Sequence, residues 1–131
     1  MSHEIQVSFG DCDPAGIVWY PRLLGWMDHT FHAELRQHGG HAAICSAVGA
    51  VGLGVVDVNA SFRRPVRDGD LLLMDIQWEE WSPRSFRLCY VACMGEQPAF
   101  EGQETRAVFD IDKDGKIRAG HTDKLKSIIG G

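Results

Sequence analysis

One stretch of helical period, followed by four stretches of two-residue alternation, leaves this chain few folds to adopt. The helical stretch opens at Pro21, which suits a first helical turn because its missing N–H would find no partner there. Leu24, Met27, Phe31 and Leu35 recur at spacings of three and four, giving one apolar stripe that Leu23 and Trp26 widen. Gly39 and Gly40 supply the stop, since glycine accepts the left-handed backbone that ends a helix. Ahead of the helix, Ile5, Val7 and Phe9 alternate with polar neighbours and predict a short half-buried strand. Behind it come Val56, Val58, Ala60 and Phe62, then Leu72, Met74, Ile76 and Trp78. Phe86, Leu88, Tyr90 and Ala92 follow, and last Thr105, Ala107, Phe109 and Ile111. The links hold turn formers at 67–69, 82–83 and 95–98, and short links imply antiparallel pairing. The order predicts an α+β fold with the long helix on one face of a sheet of about five strands. A short helix is expected over 122–129.

Composition narrows the function. With 131 residues the chain is expected to be a single domain over 1–131, large enough to hold a core without disulfides. Its 18 acidic and 13 basic side chains give a net charge of −5, which argues against a nucleic-acid partner. No apolar run reaches the ~20 residues of a membrane span, and residues 1–11 lack the apolar stretch of a signal peptide. A cytoplasmic location is expected. Cys12, Cys45, Cys89 and Cys93 form no C-x-x-C pair and read as free, packed thiols. Residues 88–94 are apolar or small on both faces, so a surface for self-association, as dimer or tetramer, is expected.

The chemistry concentrates in Phe9-Gly-Asp-Cys-Asp-Pro-Ala-Gly-Ile-Val-Trp-Tyr-Pro21. Pro14 holds Asp13 out of any helix, and Gly16 permits a sharp turn. Ile17, Val18 and Trp19 exclude water nearby. The helix start at 20–23 offers unpaired N–H groups and the positive end of the dipole, suited to an oxyanion. A carboxylate beside such a site is the minimum equipment for acyl transfer.

This segment closely resembles the signature of the 4-hydroxybenzoyl-CoA thioesterases, members of the hotdog-fold superfamily. Weaker similarities follow in the same order: Trp26 and Asp28, Asn59-Ala60-Ser61-Phe62, and Glu80-Trp81 through Arg84-Ser85-Phe86. The resemblance implies an antiparallel sheet wrapped around one long helix, assembled at least as a dimer with sites between subunits. It implies that Asp13 acts as nucleophile or general base and that the Tyr20 N–H polarises the thioester carbonyl. Trp19 would line the acyl pocket and Asp28 would accept a hydrogen bond from a ring hydroxyl. Asn59 and Ser61 would lie near the same pocket, and Arg84 and Ser85 would meet the coenzyme A phosphates. No metal or other cofactor is implied, coenzyme A being part of the substrate. The chain departs from the family at Ser82-Pro83-Arg84, where members carry a richer basic run, and over the Ala/Gly-rich 38–54.

Other readings compete at single residues. Asp11 reads as a carboxylate that bonds the turn backbone. His29 with His32, and His38 with His41, sit three apart but lack the third and fourth ligands of a metal site. Asp110, Asp112 and Asp114 imitate a calcium loop, but Asp114-Gly115 more simply marks a hairpin. Arg63 and Arg64 fit a solvated strand end, with phosphate contact the sharper alternative. For the whole chain, the rivals to an aromatic acyl-CoA thioesterase are a thioesterase for short aliphatic or other aryl groups and a non-catalytic acyl-CoA or acyl-carrier binding module.

Overall fold

In the computed structural model, which describes residues 2–130, the chain opens with β1 (Ser2–Gln6) and a 3-10 turn (Phe9–Asp11). Two helices follow, α1 (Tyr20–Arg36) and α2 (His41–Val48). Then come β2 (Gly52–Phe62), β3 (Leu71–Ser82), β4 (Ser85–Met94), β5 (Gln97–Ile111), β6 (Ile117–Ala119) and α3 (Asp123–Ile129). The strands form one sheet in the order β1-β3-β4-β5-β2, with β6 paired to β5. The β1–β3 and β5–β6 pairs are antiparallel, Ile5 opposite Leu72 and Asp110 opposite Arg118. The class is α+β, as the alternation predicts.

The last long strand, β5, starts at Gln97, inside the expected link at 95–98, and β6 adds a sixth strand to the expected five. Three other elements differ for local reasons. The first strand ends at Gln6 instead of running to Phe9. The Ser8 N–H donates to Asp11 Oδ2 at 2.9 Å and the Asp11 N–H donates to Ser8 O at 2.9 Å, which curls the chain into a turn and leaves Phe9 76% exposed. Helix α2 falls where no helix was expected; of its eight residues only Ile44 and Cys45 are buried, too few to write a stripe. In β2 the expected buried face is missing, because Val55 through Asn59 are all exposed. The Asp112–Gly115 turn does make the expected hairpin, between β5 and β6.

The chain packs as two compact units. The first takes in the N-terminal segment through Phe31, Asn59–Gln77 and Cys89–Gln103. Its core is Ile5, Met27, Phe31, Leu72, Met74, Tyr90, Ala92 and Phe100. Gly102 sits close against the end of Met27: a Cβ there would come within 2.6 Å of its sulfur, so the thioether would have to shift. The second takes in His32–Val58, Trp78–Leu88 and the segment from Glu104. Leu35, Ile44, Leu53, Phe86, Leu88, Val108 and Leu125 fill it. It also buries an ion pair: Arg106 Nε and Nη2 donate to Glu104 Oε1 and Oε2 at 2.8 and 3.0 Å, and Nη1 donates to Leu53 O at 3.1 Å. The exit from α1 is set by Gly39 and Gly40, with φ of +103° and +94°, and the Gly40 N–H donates to Leu35 O at 2.9 Å.

Candidate active site

Asp13-Pro14-Ala15-Gly16 fold into a tight turn. The Gly16 N–H donates to Asp13 O, the Asp13 N–H to Ile17 O, and the Ala15 N–H to Asp13 Oδ1, each at 2.9 Å. The residue types are those the geometry needs. A leading Asp accepts from the chain two residues on, Pro presets φ, and Gly16 takes φ +82°. The turn is pinned to the strand-like segment beyond β2 by the Ile17–Arg67 bridge and by the Val18 N–H donating to Val66 O at 2.7 Å. Asp13 is half-buried, and its Oδ2 carries no hydrogen bond among the described residues.

Asp11 braces the same loop. Its carboxylate accepts the Ser8 N–H, its Oδ1 lies 3.8 Å from Arg22 Nε, and its carbonyl accepts the Trp19 N–H at 2.9 Å. The turn-bonding role read from the sequence is the one observed.

Beyond the Val18 and Trp19 amides, both used, the Tyr20 N–H is an open donor at the start of the helix. It makes no hydrogen bond among the described residues; Pro21 has none to give, and the Arg22 N–H folds back to Trp19 O at 2.9 Å. An unpaired N–H at the head of a 17-residue helix sits in the positive end of its dipole.

Two spaces flank this point, both within the first unit. One, of about 360 Å³, is lined by Ile17, Tyr20, Leu23, Phe62, Arg64 and Phe100 among others. The other, an open groove of about 790 Å³, is lined by Gln6, Trp19, Arg22, Gly25, Trp26 and His29 among others. Trp19 lines the groove and Tyr20 the cavity, so the peptide bond joining them links residues of both spaces.

The remaining predicted residues divide. Asp28, Asn59 and Ser61 lie in the first unit, exposed on α1 and β2, and line neither space. Arg84 and Ser85 fall in the second unit; Arg84 Nη1 donates to Ala119 O at 2.7 Å, and Ser85 begins β4 half-buried. The lining includes Gly25, Phe62 and Phe100, for which the sequence reading gave no site role. Gly25 alone left a signal, as a glycine inside a helical stretch where it weakens the helix. No heavy atom stands within 4 Å of where its Cβ would be, so packing does not require it.

Among the described residues no three or more His, Cys, Asp or Glu side chains gather as a metal site, and no helix is long and apolar enough to cross a membrane. All four cysteines are free. Burial pushes the Cys45 thiol above its ordinary range, which leaves it protonated and inert at neutral pH.

Fold and loop together define a class. A profile of the thioesterase-like superfamily matches residues 7–125, and the chain belongs to that family. Its α+β architecture is the hotdog fold of the solved 4-hydroxybenzoyl CoA thioesterase from Pseudomonas sp. strain CBS-3, with a TM-score of 0.82, 29% identity and 96% of both chains covered. In sequence, the 4-hydroxybenzoyl-CoA thioesterase of that strain is 36% identical over 83 residues, 62% of this chain and 59% of that one. A 1,4-dihydroxy-2-naphthoyl-CoA hydrolase of Prochlorococcus marinus (strain MIT 9303) is 31% identical over 100 residues, 71% of this chain and 66% of that one. Both sequence matches span less than two thirds of the relative's own length. The solved Slr0204 of Synechocystis, a 1,4-dihydroxy-2-naphthoyl-CoA thioesterase, shares the fold at a TM-score of 0.82 and 22% identity.

Proposed function

We propose that the chain is an acyl-CoA thioesterase that hydrolyses an aromatic acyl-CoA, 4-hydroxybenzoyl-CoA first among them, to the free acid and coenzyme A. The observation that carries this is the open Tyr20 N–H at the head of α1, on the same pinned loop that presents Asp13 with one carboxylate oxygen unused. The thioester carbonyl oxygen accepts the Tyr20 N–H, which stabilises the charge that grows on that oxygen as the carbon is attacked. Asp13 Oδ2 either attacks the carbonyl carbon itself or takes the proton from an attacking water. In both routes one water is consumed: its oxygen ends in the carboxylic acid and the carbon–sulfur bond breaks to release the thiol.

The acyl ring lies against Trp19. The chemistry calls on no metal or other cofactor. It takes place in the cytoplasm, where four unbridged cysteines persist. Residues 88–94, expected to form a self-association surface, are buried or half-buried in β4 and do not supply it. The exposed apolar face lies instead on β2, where Val55, Val56, Val58 and Phe62 are between 39% and 60% exposed at an edge of the sheet; a second copy of the chain covers it.

A second reading has an observation of its own. The groove of about 790 Å³ beside Trp19, left open by Gly25, has room for a two-ring acyl group such as 1,4-dihydroxy-2-naphthoyl. Thiol release from a panel of 4-hydroxybenzoyl-, 1,4-dihydroxy-2-naphthoyl- and short alkyl-CoA thioesters decides among these. An aryl thioester should be cleaved with the highest kcat/KM. Preference for the alkyl chains removes the aromatic assignment, and tight binding without thiol release removes the enzyme.

A further inference from the structure

We infer that Arg64, at the rim of the cavity on the Tyr20 side, binds a phosphate of the coenzyme A arm. The inference rests on the thioesterase reading for the identity of the ligand, and on three observations for the site.

The first is division of space. If the acyl group fills the groove on the Trp19 side of the Tyr20 N–H, the rest of the substrate leaves on the other side, where the cavity lined by Ile17, Tyr20, Leu23 and Phe100 lies. That lining is largely apolar, as the uncharged pantetheine arm requires. Phe62, Arg63 and Arg64 also line it, so charge enters only at one edge.

The second is the state of the two arginines. Arg63 already has a partner: its Nη2 donates to Glu101 Oε2 at 3.0 Å. Arg64 has none; its guanidinium is exposed and makes no hydrogen bond or ion pair among the described residues. Its position is nonetheless fixed, because the Arg63 and Arg64 N–H groups both donate to Ala99 O, at 2.9 and 3.1 Å. Pro65 follows at once and narrows the backbone of Arg64 further. A guanidinium left uncommitted on a held backbone presents a planar fork that matches a phosphate.

The third is charge. In a chain of net −5, an anionic ligand meets general repulsion, so a local cationic edge has to select where it docks. Arg63, Arg64 and Arg67 lie within five residues, and none of the 18 acidic residues falls between them.

Equilibrium binding of coenzyme A and of pantetheine, which lacks the phosphates, tests this on the wild-type chain and on Arg64→Ala and Arg64→Lys. Loss of a charge-assisted contact should raise the coenzyme A Kd about tenfold in Arg64→Ala, with partial recovery in Arg64→Lys. Pantetheine affinity should stay within twofold, and added salt should weaken coenzyme A binding more in the wild type than in Arg64→Ala. An unchanged coenzyme A Kd, an equal loss for pantetheine, or no coenzyme A binding by the wild type overturns the inference. Thiol release by the wild type, scored separately, judges the hydrolase reading whatever the binding shows.

Discussion

Asp13 and Asp11 stand two residues apart in one loop, yet their surroundings give them different work. Asp11 has its carboxylate on the Ser8 N–H and near Arg22, and its carbonyl on the Trp19 N–H; it holds the loop that carries Asp13. Asp13 bonds only Ala15, through one oxygen. That contrast was legible in outline, because Asp-Pro-x-Gly writes its own turn and a carboxylate before it caps locally. A different carboxylate gave no warning at all. The alternation of Thr105, Ala107, Phe109 and Ile111 puts Glu104 and Arg106 on the opposite face of β5, where two charged side chains suggest solvent, yet both are buried, at 3% and 2% exposure. Pattern counts each side chain alone, whereas these two are buried against each other. Removing one partner takes the two-point ion pair from a charge that stays in the interior. Arg106→Ala should therefore cost about 3–5 kcal/mol in urea unfolding, while the double change Glu104→Leu with Arg106→Met should cost far less. Additive losses in the pair of variants would contradict that account.

Among the elements, α1 was legible because its stripe, its proline start and its double-glycine stop all agree. The others were less so wherever a short-range bond or a missing partner outweighed the pattern. Ser8 and Asp11 end β1 early, α2 buries only two side chains, and β2 alternates without burying a face. Inside α1, Gly25 runs against helix propensity with no packing reason. Its purpose on this account is to keep the groove beside Trp19 and Trp26 open. Gly25→Leu should stabilise the helix by about 1 kcal/mol, visible as a raised Tm. The same change should lower kcat/KM for an aryl-CoA at least tenfold, about the value of a methylene-scale misfit in a pocket. A raised Tm with unchanged kcat/KM would separate the groove from the acyl site. On β5, Gly102→Ala presses on Met27 and should cost about 1–3 kcal/mol, read from the same urea transition.

For the whole molecule, an 11-residue strand with exposed valines at a sheet edge is a surface that pairs or aggregates. Replacing Val56 and Val58 by Lys should turn a multiple-chain mass into a single-chain mass by light scattering, with the circular dichroism spectrum kept. A wild-type mass of one chain at micromolar concentration would remove self-association from the account. The signature loop names Asp13, Trp19 and Tyr20, and the chain carries them along one hydrogen-bonded loop that runs into α1. Phe62 and Phe100 were not legible, because only the folded chain brings residues that far apart in sequence to one cavity.

If a loop carboxylate and a helix-head amide together split the thioester, taking the charge from that carboxylate alone should stop turnover. In Asp13→Asn the Ala15 N–H keeps an oxygen acceptor, so the turn and the fold should persist by circular dichroism. Thiol release from the best aryl-CoA should fall at least ~10²-fold, the usual scale for a positioned acid–base group. A variant that folds and turns over within a few fold of the wild type would contradict the account.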